Sequence, residues 1–171
     1  MGIIAVALAT ALAVIQFTSK SPTPIVDNEL RIPVTFKQTT RSVNLYYYDA
    51  NKDKNASGVV LCSKQGLVPV TRTIPVTITP IQDTINLLLK GELTGQEKSA
   101  GVTTEYPLAG LTLKGASVYG TALTLEFTDP QNKTSGGSCR ASILWAQIEA
   151  TALQFPEVKS VNFIPTDLFQ P

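Results

Sequence analysis

Very few side chains in these 171 residues are of a type and spacing that could do chemistry, and most of the chemistry can be excluded by counting. There is no histidine, which removes the commonest general base, the Ser-His and Cys-His nucleophile pairs and most zinc sites. The two cysteines, Cys62 and Cys139, cannot complete a structural zinc site by themselves. No Ser-x-x-Lys sequence occurs, so the serine–lysine arrangement of penicillin-binding enzymes is missing. No glycine-rich stretch fits either phosphate-cradling pattern, and Ser135-Gly136-Gly137-Ser138 reads as a helix-entry turn. Glu126 and Glu149 could form an acid–base pair of the glycosidase kind, but nothing in the sequence places them together, and solvated surface carboxylates are the simpler reading. Asp49, Asn51 and Asp53 stand at calcium-loop spacing. Lys54, however, occupies the glycine position of that loop, and Val60 the position of its bidentate glutamate. Asn55-Ala56-Ser57 and Asn132-Lys133-Thr134 match the glycosylation sequon in expected loops. The inventory supports no catalysis, cofactor or metal.

Composition points to a compartment instead. Outside the cytoplasm an even cysteine count suggests a bridge, worth roughly 4.5 kcal/mol in the chain-entropy model for a loop this long. Two buried thiols are the other reading. Gly2–Phe17 is uncharged and almost wholly apolar, long for a signal-peptide core and slightly short for a span of roughly 17–25 residues. It lacks a basic start, and Val14, Ile15 and Phe17 run on past the small-x-small site at Ala11-Leu12-Ala13. These features predict an uncleaved or poorly cleaved membrane anchor over 1–18, with the remainder outside the cytoplasm; secretion after cleavage and a buried core helix are the alternatives. No cysteine stands directly after the apolar stretch to carry a lipid. With a formal charge of +1 and acidic and basic residues interspersed, no basic stripe is present, so nucleic acid is not an expected partner.

The elements that would position these residues follow from periodicity. Residues 19–40 are a proline-bearing linker, in which Leu30, Ile32, Val34 and Phe36 alternate as an edge strand limited by Pro33. Val43–Tyr48 reads as a firm strand, Asp49–Gly58 as a polar loop, and Gly66–Pro75 as an extended, irregular edge segment. Thr79–Lys90 is a helix with a Thr79/Gln82 capping box, Pro80 at its first position and Gly91 past its end. Its apolar stripe is Ile81, Ile85, Leu88 and Leu89. Thr94 and Glu97 repeat the capping-box spacing before a short helix over 95–100. Ala116–Tyr119 and Ala122–Thr128 read as two strands turning tightly at Gly120. Ala141, Leu144, Trp145, Ile148, Ala152 and Phe155 then form one face of a long helix capped by Ser135 or Ser138, with Arg140, Gln147, Glu149 and Gln154 toward water. Lys159–Ile164 is a last strand with Val161 and Phe163 inward, and 166–171 an irregular tail. The sum is an α+β fold: a mainly antiparallel sheet with two helices packed on one face, ordered β-α-β-β-α-β behind the extra edge strand.

Taken together, Val43–Asp49, Leu67–Pro75 (LVPVTRTIP), Leu87–Gly91 (LLLKG) with Glu97 and Gly101, and Gly136–Phe163 resemble the GerMN domain of spore-germination, sporulation and other bacterial envelope proteins. In the last stretch Gly-Gly-Ser-Cys-Arg, Ala146-Gln147-Ile148 and Gln154-Phe155-Pro156 fall in the family's order. The resemblance covers roughly residues 41–165; Gly91-Glu92-Leu93 stands where the family usually has Gly-Pro-Thr. It implies a small α+β domain similar to ring-building motifs, assembling or scaffolding without enzymatic activity. It also implies a Cys62–Cys139 bridge from just before Val-Pro-Val-Thr-Arg to the start of the long helix.

Two roles are consistent with these features. One is a membrane-anchored extracytoplasmic interaction module, self-associating or docking another envelope protein. It would use a sheet edge near Leu30–Phe36 or Leu67–Pro75, or the exposed side of Tyr46–Tyr48, with Tyr46 and Tyr48 as contact candidates. The other is a binding domain for a small ligand or cell-wall glycan, with Arg72 and Arg140 lining a polar cleft.

Overall fold

The computed structural model describes residues 38–170. The expected anchor over 1–18 and the expected strand over Leu30–Phe36 lie outside the described residues. The elements are β1 (Thr40–Tyr48), β2 (Leu67–Pro75), α1 (Pro80–Leu89), α2 (Gly95–Ser99), β3 (Thr112–Tyr119), β4 (Ala122–Thr128), α3 (Ser138–Leu153) and β5 (Ser160–Ile164). This is the expected α+β order, and the sheet is divided in two. β1 and β2 form an antiparallel pair, and the order β3-β4-β5 forms a second sheet in which β3-β4 is antiparallel and β4-β5 parallel. The parallel pair follows from the crossover, because α3 is long enough to carry the chain back from the end of β4 to the start of β5.

Leu67–Pro75, expected to be irregular, is a full strand paired along its whole length with β1. The prolines are tolerated because of where they face. Asn44, Tyr46 and Tyr48 bond outward, away from β2, so their partners Thr71, Pro69 and Leu67 also face outward. The missing N–H of Pro69 therefore falls on the open edge, where it interrupts no ladder.

The long helix is bifacial in a way its periodicity did not reveal. Ala141, Leu144, Ile148 and Ala152 are buried as expected, and Phe155 beyond its end with them; Trp145 is half-buried. Gln147, expected to face water, is only 1% exposed. Its amide donates to the Ile143 carbonyl and accepts from the Thr104 hydroxyl. One and two turns on, Thr151 and Gln154 reach the outer edge of β1: the Tyr46 N–H donates to Thr151 Oγ1 at 3.0 Å. The Asn44 N–H donates to Gln154 Oε1 at 2.8 Å, and Gln154 Nε2 donates back to the Asn44 carbonyl at 2.7 Å. Tyr48 completes the series by exchanging backbone bonds with Thr103. Two side chains, Thr151 of α3 and Gln154 at its end, thus cover edge groups that would otherwise need a strand or water.

The caps also differ from expectation. Thr79 does precede α1, with Pro80 at its first position, but it makes no side-chain cap; its hydroxyl donates instead to Asp83. The Thr94/Glu97 capping box of α2 is present. α3 is capped by neither serine: Gly137, at φ +88°, precedes it, and the Ser135 hydroxyl bonds the Asn132 carbonyl. Gly91 (φ +64°) ends α1 where a Cβ would stand 1.8 Å from the Tyr106 carbonyl oxygen, so only glycine fits. The segment after β5 is not a loose tail. Leu168 and Phe169 are buried, and Phe169 packs edge-on against Phe163 at 5.1 Å.

Replacing Gln154 with alanine strands a donor and an acceptor of β1 and should cost about 1–3 kcal/mol. Glu149→Ala, on the same helix but in a surface ion pair, should cost about 1 kcal/mol or less. Urea unfolding of the two variants compares them directly.

Candidate functional site

The surface around the cysteine pair is built from the loop between β1 and β2. Cys62 and Cys139 are bridged with Cα atoms 5.2 Å apart, tying that loop to the first turn of α3 across 77 residues of sequence. The acidic residues of the loop serve this turn and no metal. Asp53 is buried and accepts from the Tyr48 hydroxyl at 2.5 Å and from the Ser63 N–H at 2.6 Å. Burial opposes its ionisation, but the hydrogen bonds from Ser63 and Tyr48 outweigh it and hold the carboxyl below its ordinary value. Asp49 accepts from the Asn51 N–H. Among the described residues no group of three acidic, histidine or cysteine side chains could hold a metal ion.

The expected contact residues are largely committed to the fold. Tyr48 is 5% exposed, and burial together with its bond to Asp53 pushes its hydroxyl well above the ordinary range. Tyr47 is core; its pKa is raised to about 12 by burial. Tyr46 is half-buried. The Arg72 guanidinium makes two bonds to the Glu97 carboxylate, at 2.7 and 2.8 Å, and another to the Glu92 carbonyl, clamping β2 to α2. The Arg140 side chain pairs with Glu105 at 2.5 Å and donates to the Lys133 and Ser135 carbonyls, holding the entry to α3. Each arginine therefore serves its own turn, and among the described residues no hydrogen bond joins one to the other's partners. Nor are Glu126 and Glu149 engaged with one another: Glu149 pairs with Lys64 at 2.5 Å, while Glu126 is exposed on β4.

What remains available includes apolar surface and several clefts. Ile78 is 100% and Tyr119 92% exposed, and Val76 and Val118 are half-exposed beside them. Ile78 and Val118 share a cavity of about 300 Å³ over Ile81 and Leu123. Val118 and Tyr119 belong to β3, whose outer edge has no strand partner among the described residues. Sequence reasoning passed over Ile78; the available signal was an apolar residue held between Pro75 and Pro80, outside every stripe. The second cleft, about 500 Å³, lies beside the disulfide and is lined in part by Lys64, Trp145 and Glu149.

The class of protein is thus a disulfide-stapled α+β domain. The chain belongs to the Germane family, described as sporulation and spore germination, whose model matches residues 44–164. Its fold is similar to the tandem GerMN domains of the sporulation protein GerM from Bacillus subtilis, at 24% identity and a TM-score of 0.52. That match covers 72% of this chain and 38% of the other, so the chain spans well under half of that structure's length. A crystal structure described as a candidate lipoprotein from Clostridium perfringens matches at 12% identity and a TM-score of 0.37, covering 72% of this chain and 73% of that one. No curated protein matches the chain.

Removing the bridge, by reductant or by Cys62→Ser with Cys139→Ser, should lower unfolding free energy by about 2–4.5 kcal/mol. Urea midpoints with and without reductant measure this. Arg72 lowers the Glu97 pKa from its ordinary 4.5 to about 2, overcoming the opposing effect of burial. Because the folded value is the depressed one, this stabilisation is fully present above the ordinary value. It is lost as pH falls from about 4.5 through about 2. Glu97→Gln should remove that portion of the acid-unfolding profile.

Proposed function

We propose that this chain is a non-enzymatic, extracytoplasmic interaction module of the cell envelope. Its docking face for another protein chain is the open edge of β3 together with Val76, Ile78, Val118 and Tyr119. The single observation that carries this reading is the presence of half-exposed and fully exposed large apolar side chains on and near a strand edge that has no strand partner among the described residues. A free edge supplies backbone donors and acceptors for an added strand, and the flanking apolar residues supply area and selectivity. The bulge at Lys114, where the β3–β4 register shifts, interrupts the first half of the strand and leaves Ala116–Tyr119 as the usable edge. β2 is less suited, since Pro69 takes a donor from its rim. The bridge between Cys62 and Cys139 supports placement outside the cytoplasm, where disulfides persist.

Ile78→Asp and Tyr119→Ser change exposed side chains, so unfolding should move by about 0.5 kcal/mol or less. Capture of the envelope partner, or of a second copy, by cross-linking in native membranes should fall sharply in both variants. Unchanged capture would remove β3 as the docking face; a chain that cross-links to no protein at all would remove the interaction role.

A further inference from the structure

A second surface, on another part of the fold, has the features of a ligand site. Trp145 is the only tryptophan in the chain and the largest residue on the apolar face of α3. Unlike Leu144 and Ile148 beside it, it is not fully buried. Its indole rests edge-on against Phe163 at 4.6 Å and against Phe169 at 6.5 Å, and both of those rings are nearly fully buried. The ring is therefore fixed in place before anything binds, which lowers the ordering cost of binding. On one side it borders the cleft of about 500 Å³, within the ordinary size for a small-molecule site. It also borders a smaller one of about 210 Å³ with Asn162 and Thr166. Trp145 is thus a ridge between two depressions.

The polar groups around the larger cleft are of the right kind for hydroxyl and amide recognition. Ser63, Lys64, Ser142, Glu149 and Gln170 line it. Lys64 and Glu149 pair at 2.5 Å with side chains 66% and 21% exposed. An ion pair so placed contributes only about 0–1 kcal/mol to stability, so it can open toward a ligand at small cost. The cleft's lining holds Trp145 and the nearly buried Phe169, mixed donors and acceptors, and no strand residue whose edge a peptide could extend. A pyranose ring has a matching pair of surfaces, an apolar C–H face and a rim of hydroxyls.

We propose that this cleft binds a saccharide, one ring stacked on Trp145 with Lys64, Ser142 and Glu149 on its polar rim, and a second ring beyond the ridge near Asn162. The site is separate from the β3 face, and its failure leaves that reading untouched.

The sole tryptophan makes its own emission the readout. The full chain, in a non-glycosidic detergent, is titrated with an N-acetylglucosamine tetramer, the monomer and cellotetraose. Saturable emission changes with a tetramer are expected, with the monomer at least roughly tenfold weaker because it fills one side of the ridge only. Preference between the two tetramers distinguishes an amino-sugar source, such as wall glycan, from a neutral one. Trp145→Phe, followed by calorimetry, should weaken binding roughly tenfold. Glu149→Gln should weaken it several-fold with an unchanged unfolding midpoint, and it serves as the test if Trp145→Phe does not fold. No saturable change with any of the three sugars, or equal binding by Glu149→Gln and the parent chain, would overturn the proposal. So would a response to an aromatic-containing peptide alone.

Discussion

The outer edge of β1 has to be closed, and how it is closed governs the architecture. A strand in a two-stranded pair exposes half its backbone groups on each side, and leaving them buried and unbonded costs about 1–3 kcal/mol each. β1 could have met this demand by joining β3-β4-β5 in one continuous sheet. Instead, Thr151 and Gln154 of α3 take the groups of Asn44 and Tyr46, and Thr103 takes those of Tyr48. The helix is inserted where a strand would have been. The two sheets are held as one domain by a helix that packs on both.

α3 consequently carries three loads at once. Its apolar face meets the core, its Gln147–Thr151–Gln154 row meets β1 and the segment at Thr104, and its first turn is bolted through Cys139 to the loop before β2. The remaining polar groups secure the pieces the helix does not touch. Arg72 joins β2 to α2, Arg140 anchors the α3 entry to Glu105, and Asp53 organises the disulfide loop through Tyr48 and Ser63. Charged side chains that look available in a list are thereby spent on geometry. The surfaces left over, the β3 border and the Trp145 ridge, are apolar or mixed.

Rigid elements present Val118, Tyr119 and Trp145, and none of these is needed to close a backbone hydrogen bond. Membership of the Germane family and a fold like that of tandem GerMN domains describe the framework that carries them.

Local signals were enough for the elements themselves. Period-two and period-3.6 patterns, Pro80, Gly91 and the Thr94/Glu97 box place β1, α1, α2, β4, α3 and β5, and the ordered motifs from Val-Pro-Val-Thr-Arg to Gln-Phe-Pro identify the family. Cysteine count and motif order together pointed to the bridge. What needed the tertiary structure was every decision taken between distant parts of the chain. Gln154 reads as solvent-facing because its polarity is local information, whereas the outer edge of β1 that takes it up lies 110 residues away. Arg72 and Tyr48 read as free to bind because their partners, Glu97 and Asp53, become neighbours only on folding. Leu168 and Phe169 looked like tail because a two-residue apolar pair has no period. The sequence by itself determined most of the regular segments, though not β2, and their apolar stripes; folding decided which polar groups are consumed in closing the structure, because that depends on which backbone edges are left without a strand.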